Sequence, residues 1–175
     1  ANYAAAGVLK TRQPFLKLLL LGIAAGALIG FPVCVTNMAT YAITNASAVR
    51  IIAGVLFAFG LGIVVLTGAE LFTGNSLMVC ALKSKKITLV QMLKAWVVVW
   101  VGNFVGALFI VFLVYMAGIY KLNGEAVANS MVSVAAGKVT IDWVTIFFRG
   151  ILCNIFVCLA VWIGTAGKTV VDKVV

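Results

Sequence analysis

The ten residues TGAELFTGNS, Thr67 to Ser76, interrupt a run that is otherwise fit for lipid. From Ile51 to Leu82 the only charged residue is Glu70, and 32 residues separate Arg50 from Lys83. As one continuous helix that run would reach about 48 Å at ~1.5 Å per residue, against a hydrocarbon core of ~30 Å. Tilt absorbs part of the excess, but a break accounts for it better. The sequence therefore predicts a half-helix over 51–66, an irregular loop, and a second half-helix over 75–81. Gly68 and Gly74 flank the acidic and aromatic centre of the loop.

Outward from this stretch the composition is that of a membrane protein. The chain is 65% hydrophobic and 10% charged, with a mean hydropathy of +1.22. A soluble domain carries roughly 25% charged residues. Apolar runs of helix-spanning length favour helices over a β-barrel, whose strands alternate over roughly ten residues. We expect an all-α integral membrane chain forming a single transmembrane domain over residues 1–175. Besides the broken segment, its spans are expected over about 15–36, 89–117 and 143–166. Residues 1–13 read as a short interfacial helix, 37–50 as a polar connection and 118–140 as a polar loop. Gly22, Gly26 and Gly30 form a GxxxGxxxG stripe suited to close helix packing. Asn45-Ala46-Ser47 matches a glycosylation sequon, a short pattern with little specificity.

The net charge of +9 does not indicate nucleic-acid binding, because the basic residues sit mostly at the ends of apolar runs, where topology places them. The four cysteines, Cys34, Cys80, Cys153 and Cys158, lack CxxC spacing and read as small buried hydrophobes. There is no histidine, which removes the usual haem ligand and the commonest metal ligand. With no nucleophile–base pair and no metal-ligand cluster, the sequence calls for neither enzyme chemistry, nor a metal, nor a cofactor. Alternating the spans places Lys10, Arg12, Lys17, Lys83, Lys85, Lys86, Lys168 and Lys173 on one side and Arg50, Lys121 and Lys138 on the other. The basic excess marks the first side as cytoplasmic, so the chain is expected to be multi-pass in the cell inner (plasma) membrane with both termini on the cytoplasmic side.

Irregular backbone at membrane depth must be buried in protein or line a wet cavity, since each unsatisfied group costs several kcal/mol. An acidic residue there adds at least ~2.5–3.5 kcal/mol unless paired. Such a feature suits a place where a solute binds or passes, and half-helix N-termini favour anions. Glu70 either meets the solute or holds the loop's shape. In the fourth span Arg149 is expected to snorkel. Asn154 lies deeper, and a contact with the loop would satisfy both. Three readings stay open: an anion channel, an aquaporin-like channel for neutral solutes, and a structural membrane subunit.

Three motifs in order carry a family resemblance. VLTGAELFTG, Val65 to Gly74, resembles the signature of the formate/nitrite transporter family. GILCNIFVCLAVW, Gly150 to Trp162, resembles its second signature, and GNFVGALF, starting at Gly102, its third helix. The resemblance covers nearly all of the chain. It implies a homopentamer of aquaporin-like protomers, each with its own pore for formate, nitrite, hydrosulfide or a related weak-acid anion. Carried over residue by residue, Phe57, Leu61, Leu71 and Phe72 fall at pore constrictions, and Thr73 and Asn154 at solute contacts. Lys17 and Lys138 fall at vestibules that attract anions, and Gly68, Glu70, Gly74 and Asn75 shape the loop. Family members have six spans in an inverted repeat, the fifth carrying a central histidine. Four spans are read here, so the remaining two are expected from outside these residues, without which no selective pore is expected.

Overall fold

The computed structural model describes residues 3–167 and 169. The tail lysines Lys168 and Lys173, assigned above to the cytoplasmic side, lie outside the described residues. All regular structure among the described residues is helical: α1 (Tyr3–Thr11), α2 (Phe15–Thr40), α3 (Ala46–Thr67), α4 (Val79–Lys83), α5 (Leu89–Met116), α6 (Ala126–Val139) and α7 (Trp143–Ala166). A 3-10 turn, Gly74–Met78, leads into α4, and another, Ile119–Lys121, follows α5. α2, α3, α5 and α7 are long and apolar enough to cross a membrane.

Local chemistry sets where these helices begin. Asn45 caps α3, its Oδ1 accepting from the amides of Ser47 and Ala48 at 3.0 Å each, so half of the sequon works as an N-cap. Thr88 and Gln91 close a capping box on α5, satisfying two amides that helix starts leave without partners. Asp142 caps α7 by accepting from the Thr145 amide at 2.9 Å.

Three expectations need correction. The connection expected over 37–50 is mostly helix: α2 continues to Thr40 and α3 begins at Ala46. The polar residues there do not stop the helix, because they bond back to its own carbonyls. Asn37 Nδ2 donates to Val33 O at 2.9 Å and Thr40 Oγ1 to Thr36 O at 2.8 Å. The expected loop 118–140 contains the fourteen-residue helix α6, an alanine-rich segment whose Val127 is buried. The second half-helix, expected over 75–81, starts as a 3-10 turn and becomes α-helical only at Val79.

The tightest packing lies between α2 and α5, and glycines make it possible. A Cβ on Gly26 would stand 2.0 Å from Asn103 O, and one on Gly106 would stand 2.0 Å from Ile23 O. Gly22 and Gly102 face each other in the same seam. The glycine stripe thus serves close helix approach, as small residues do between membrane helices. Leu18, Met78, Ala81, Ile87, Met92, Ala95 and Val99 form the buried cluster next to this seam. α1 lies across it, with Ala4 and Val8 packed on the cluster and Gly7 against Ala81. Its Tyr3 ring meets Trp162 edge-on at 6.0 Å, and its hydroxyl bonds Thr165 and the Trp162 carbonyl. α3 and α7 are far less covered: α3 buries only Gly60 and Val64, and α7 only Gly164.

Candidate functional site

The break opens where α3 ends. Gly68 takes the left-handed conformation at φ 69° while its amide still bonds to Val64 O, a helix stop that glycine adopts without a Cβ penalty. The chain then leaves the helix over residues 69–73 and resumes as the 3-10 turn at Gly74. Its backbone groups are shared among three neighbours. The Glu70 amide donates to Leu21 O of α2 at 3.1 Å. The Phe72 amide donates to Asn103 Oδ1 of α5 at 2.9 Å. Asn103 Nδ2 donates to Glu70 O at 2.9 Å and to Gly22 O at 2.8 Å. The Asn75 amide bonds back to Leu71 O and Phe72 O, both at 3.1 Å.

Glu70 is 4% exposed, and its partner comes from α1. Lys10 Nζ donates to Glu70 Oε2 at 2.6 Å and to Asn75 Oδ1 at 2.5 Å. A carboxylate at this depth is tolerable when paired and hydrogen-bonded. Here the ammonium ties it to the first residues of the returning helix. Asn75, 1% exposed, also accepts from Trp96 Nε1 through its carbonyl at 3.0 Å. The Glu70 side chain thus contacts Lys10, which in turn contacts Asn75.

Across the break, Ser76 Oγ donates to Asn154 Oδ1 of α7 at 3.0 Å. The Cys158 thiol points at Thr73 O at 3.7 Å and at Asn154 Oδ1 at 3.9 Å. Ser76, Gly150, Asn154 and Cys158 border an open groove of ≈ 540 Å³. Thr73 Oγ1 is buried with no hydrogen-bond partner among the described residues. A buried hydroxyl left unpaired costs about 1–3 kcal/mol, so it marks a place where the fold retains an unspent donor.

The remaining expected residues fall in distinct surroundings. Leu71 borders a groove of ≈ 430 Å³ between α2 and α5, together with Gly26, Gly30 and Asn103. Leu61 lines a separate cavity of ≈ 440 Å³ between α3 and α7, and Phe57 lies exposed one turn before it. Phe72 packs inward on the buried cluster, edge-on to Trp96 at 5.8 Å. Lys17 is exposed in the first turn of α2, and Lys138 is exposed in the last turn of α6. Gly74 approaches Val161 of α7.

Two residues that matter here escaped the sequence reading. In the sequence Lys10 reads only as a topology charge, and Asn103 only as part of a stretch that resembles the family's third helix. The signal for Asn103 was present: a single carboxamide near the middle of a 28-residue apolar helix must find hydrogen-bond partners.

Comparisons with known proteins bear on the family and the fold. The family model described as "Formate/nitrite transporter" matches residues 1–175. The formate channel FocA of Haemophilus influenzae is 37% identical over 164 residues, covering 93% of this chain and 57% of its own length. FocA of Escherichia coli K12 is 35% identical over 170 residues, covering 96% and 60%. The formate channel BtFdhC of Bacillus thuringiensis is 36% identical over 173 residues, covering 97% and 66%. This chain therefore spans somewhat under two thirds of the length of these relatives. Among solved structures, an FNT family ion channel superimposes with a TM-score of 0.87 at 27% identity, covering 98% of this chain and 71% of that one. A pentameric formate channel with formate bound gives 0.81 at 27% identity, covering 91% and 64%. The relatives are named as channels and transporters, not enzymes. With four helices among the described residues long and apolar enough to cross a membrane and a family model that matches residues 1–175, this chain belongs to the formate/nitrite transporter family.

Proposed function

We propose that residues 1–175 form a single transmembrane domain contributing one wall and the central loop of a channel for small monovalent anions of weak acids. Formate heads the list, ahead of nitrite, hydrosulfide and related species. The observation that carries this is the Thr73 hydroxyl, buried on the helix break with no hydrogen-bond partner among the described residues, where Asn75 Nδ2 also lacks one. A solute contact accounts for a hydroxyl kept there, and relatives similar to more than nine-tenths of this chain are named as formate channels.

In this reading Thr73 offers its hydroxyl to the solute, and Asn154, held by Ser76, faces it from α7. Leu71 and Leu61 supply apolar narrow points, with Phe57 on the approach to Leu61 and Phe72 bracing the loop. A bare anion crosses such points at high desolvation cost, so the neutral acid is the favoured passing species. Lys17 and Lys138 raise the local anion concentration at the two mouths. Gly68, Glu70, Gly74 and Asn75 keep the loop in shape. The assembly is a homopentamer with both termini cytoplasmic.

The test is flux into liposomes loaded with a pH or anion indicator, comparing formate, nitrite, hydrosulfide, lactate and glycerol. The protein expressed from its own gene should pass the anions and exclude glycerol, and Thr73→Val should slow formate at unchanged folded yield. Glycerol flux equal to formate flux, insensitive to Thr73→Val, would replace this reading with a neutral-solute channel.

A further inference from the structure

We infer that Asn103 is the positioning residue of the helix break, its carboxamide fixing where Leu71 and Thr73 stand. The inference rests on the channel reading for its transport consequence, and on hydrogen-bond geometry for the rest.

One side chain replaces what a neighbouring stretch of backbone would do. Asn103 Oδ1 accepts from the amide of Phe72, and Nδ2 donates to the carbonyl of Glu70 two residues earlier. The residue between them is Leu71, whose backbone is thereby pinned on both flanks. The second Nδ2 hydrogen reaches Gly22 O on α2, so the loop is registered against α2 and α5 at once. That reach depends on the glycine seam, where Gly22 and Gly102 come into backbone contact. Asn103 and Leu71 also border the same groove.

Both partners of Nδ2 are carbonyls and the partner of Oδ1 is an N–H, so the amide fits only one way round. No isosteric residue reproduces it. An aspartate keeps the acceptor for Phe72 but, when ionised, turns a negative oxygen toward two carbonyls. When protonated it regains a single donor. Leucine loses all three bonds. The charged or titratable groups facing this position are few. The loop brings Glu70, already paired with Lys10 of α1, and α2 brings Cys34 into the shared groove. α5 itself carries no charge between Lys94 and the end of the helix.

The experiment uses the protein expressed from its own gene, with Asn103→Asp and Asn103→Leu. Formate flux in liposomes is measured from about pH 7 down to about pH 4, a range that takes in both the ordinary aspartate value and the higher ones burial produces, each value taken relative to the unaltered protein at the same pH. Hydrogen–deuterium exchange is followed in the peptide covering residues 68–76. Near pH 7 both variants should carry formate about tenfold more slowly or worse, as expected when a buried donor pair is lost. On acidification the Asp variant should recover toward the unaltered protein while the Leu variant stays slow. The Phe72 amide should exchange faster in Asn103→Leu and stay protected in Asn103→Asp. A flux ratio that is the same for both variants at every pH, or loop exchange unchanged in Asn103→Leu, overturns the inference. If the unaltered protein passes no formate, the channel reading fails alone. Exchange then decides the positioning role: faster in Asn103→Leu upholds it, unchanged overturns it.

Discussion

The two walls around the break are built differently. The α2–α5 wall is closed by backbone-to-backbone contact: glycines meet at distances that admit no side chain, and Asn103 threads its amide through the seam to the loop. The α3–α7 wall is an apolar cavity of ≈ 440 Å³ bordered by Leu61, Gly62, Val65, Leu66, Ala160 and Gly164, with Phe59 and Trp162 both 59% exposed. Both walls are equally apolar in sequence. What separates them is where small residues recur in register on two helices at once. Without a hydrophobic drive between helices in lipid, close contact and interhelical hydrogen bonds decide which pairs hold together.

Glycine substitution is the most direct way to break this contrast. Gly26→Ala or Gly106→Ala would set a methyl carbon 2.0 Å from a carbonyl oxygen of the other helix. We expect losses beyond the usual ~1–3 kcal/mol of overpacking, seen as failed assembly or a sharply lower melting temperature in detergent. Gly54→Ala and Gly62→Ala on α3 meet nothing within 4 Å among the described residues and should melt like the unaltered protein. Equal effects on both sets would erase the distinction between the walls.

The next effect comes from the ion pair under the closed wall. Lys10→Met strands the Glu70 carboxylate at a buried site, which typically costs about 3–5 kcal/mol. Adding Glu70→Gln to Lys10→Met should return a large part of the loss. A double variant no more stable than Lys10→Met would show that the pair is not what holds α1 to the break.

Thr73→Val sharpens the comparison from the open side. Its hydroxyl has no partner to lose, so removing it should leave melting unchanged or raise it slightly. Ser76→Ala forfeits a bond to Asn154 and should cost about 1 kcal/mol. A Thr73→Val protein that melts lower than Ser76→Ala would place Thr73 among the packing residues.

The smallest effect is expected at the cap of α7. Its bond from Thr145 holds the Asp142 carboxyl below the usual aspartate range. A depressed folded-state value means a contribution present above the unfolded pKa and lost as pH falls through the folded one, so the cap weakens only in acid below about pH 4. Asp142→Asn keeps an acceptor for the Thr145 amide and should flatten that acid dependence. Circular dichroism of the purified protein against pH checks it, and an acid limb unchanged in Asp142→Asn would assign the loss to another group.

The break was legible in the sequence because it violates two simple expectations: the segment is too long to span once, and it carries Glu70 where lipid tolerates none. The glycine stripe on α2 was legible for the same reason, as a period on one face. The partner of Glu70 was not, since Lys10 lies 60 positions away and a lysine at the start of an apolar run reads equally well as a topology signal. Asn103 is hidden by its setting, a stretch whose resemblance to the family's third helix assigns the residue no role of its own. α6 was missed because Ser130, Ser133, Gly137 and Asn129 dilute an alanine-rich helix until its pattern resembles a loop.

The pairing of Lys10 with Glu70 also has a consequence for the order of synthesis. A chain made from its N-terminus produces the ammonium 60 residues before the carboxylate. The cation therefore waits on a short helix outside the first span while the second segment is still being threaded into the bilayer. Only after TGAELFTGNS has entered and turned back can α1 swing under α4 and neutralise the acid. Docking of α1 is thus a late event, and it completes the burial of a charge made 60 residues after its partner.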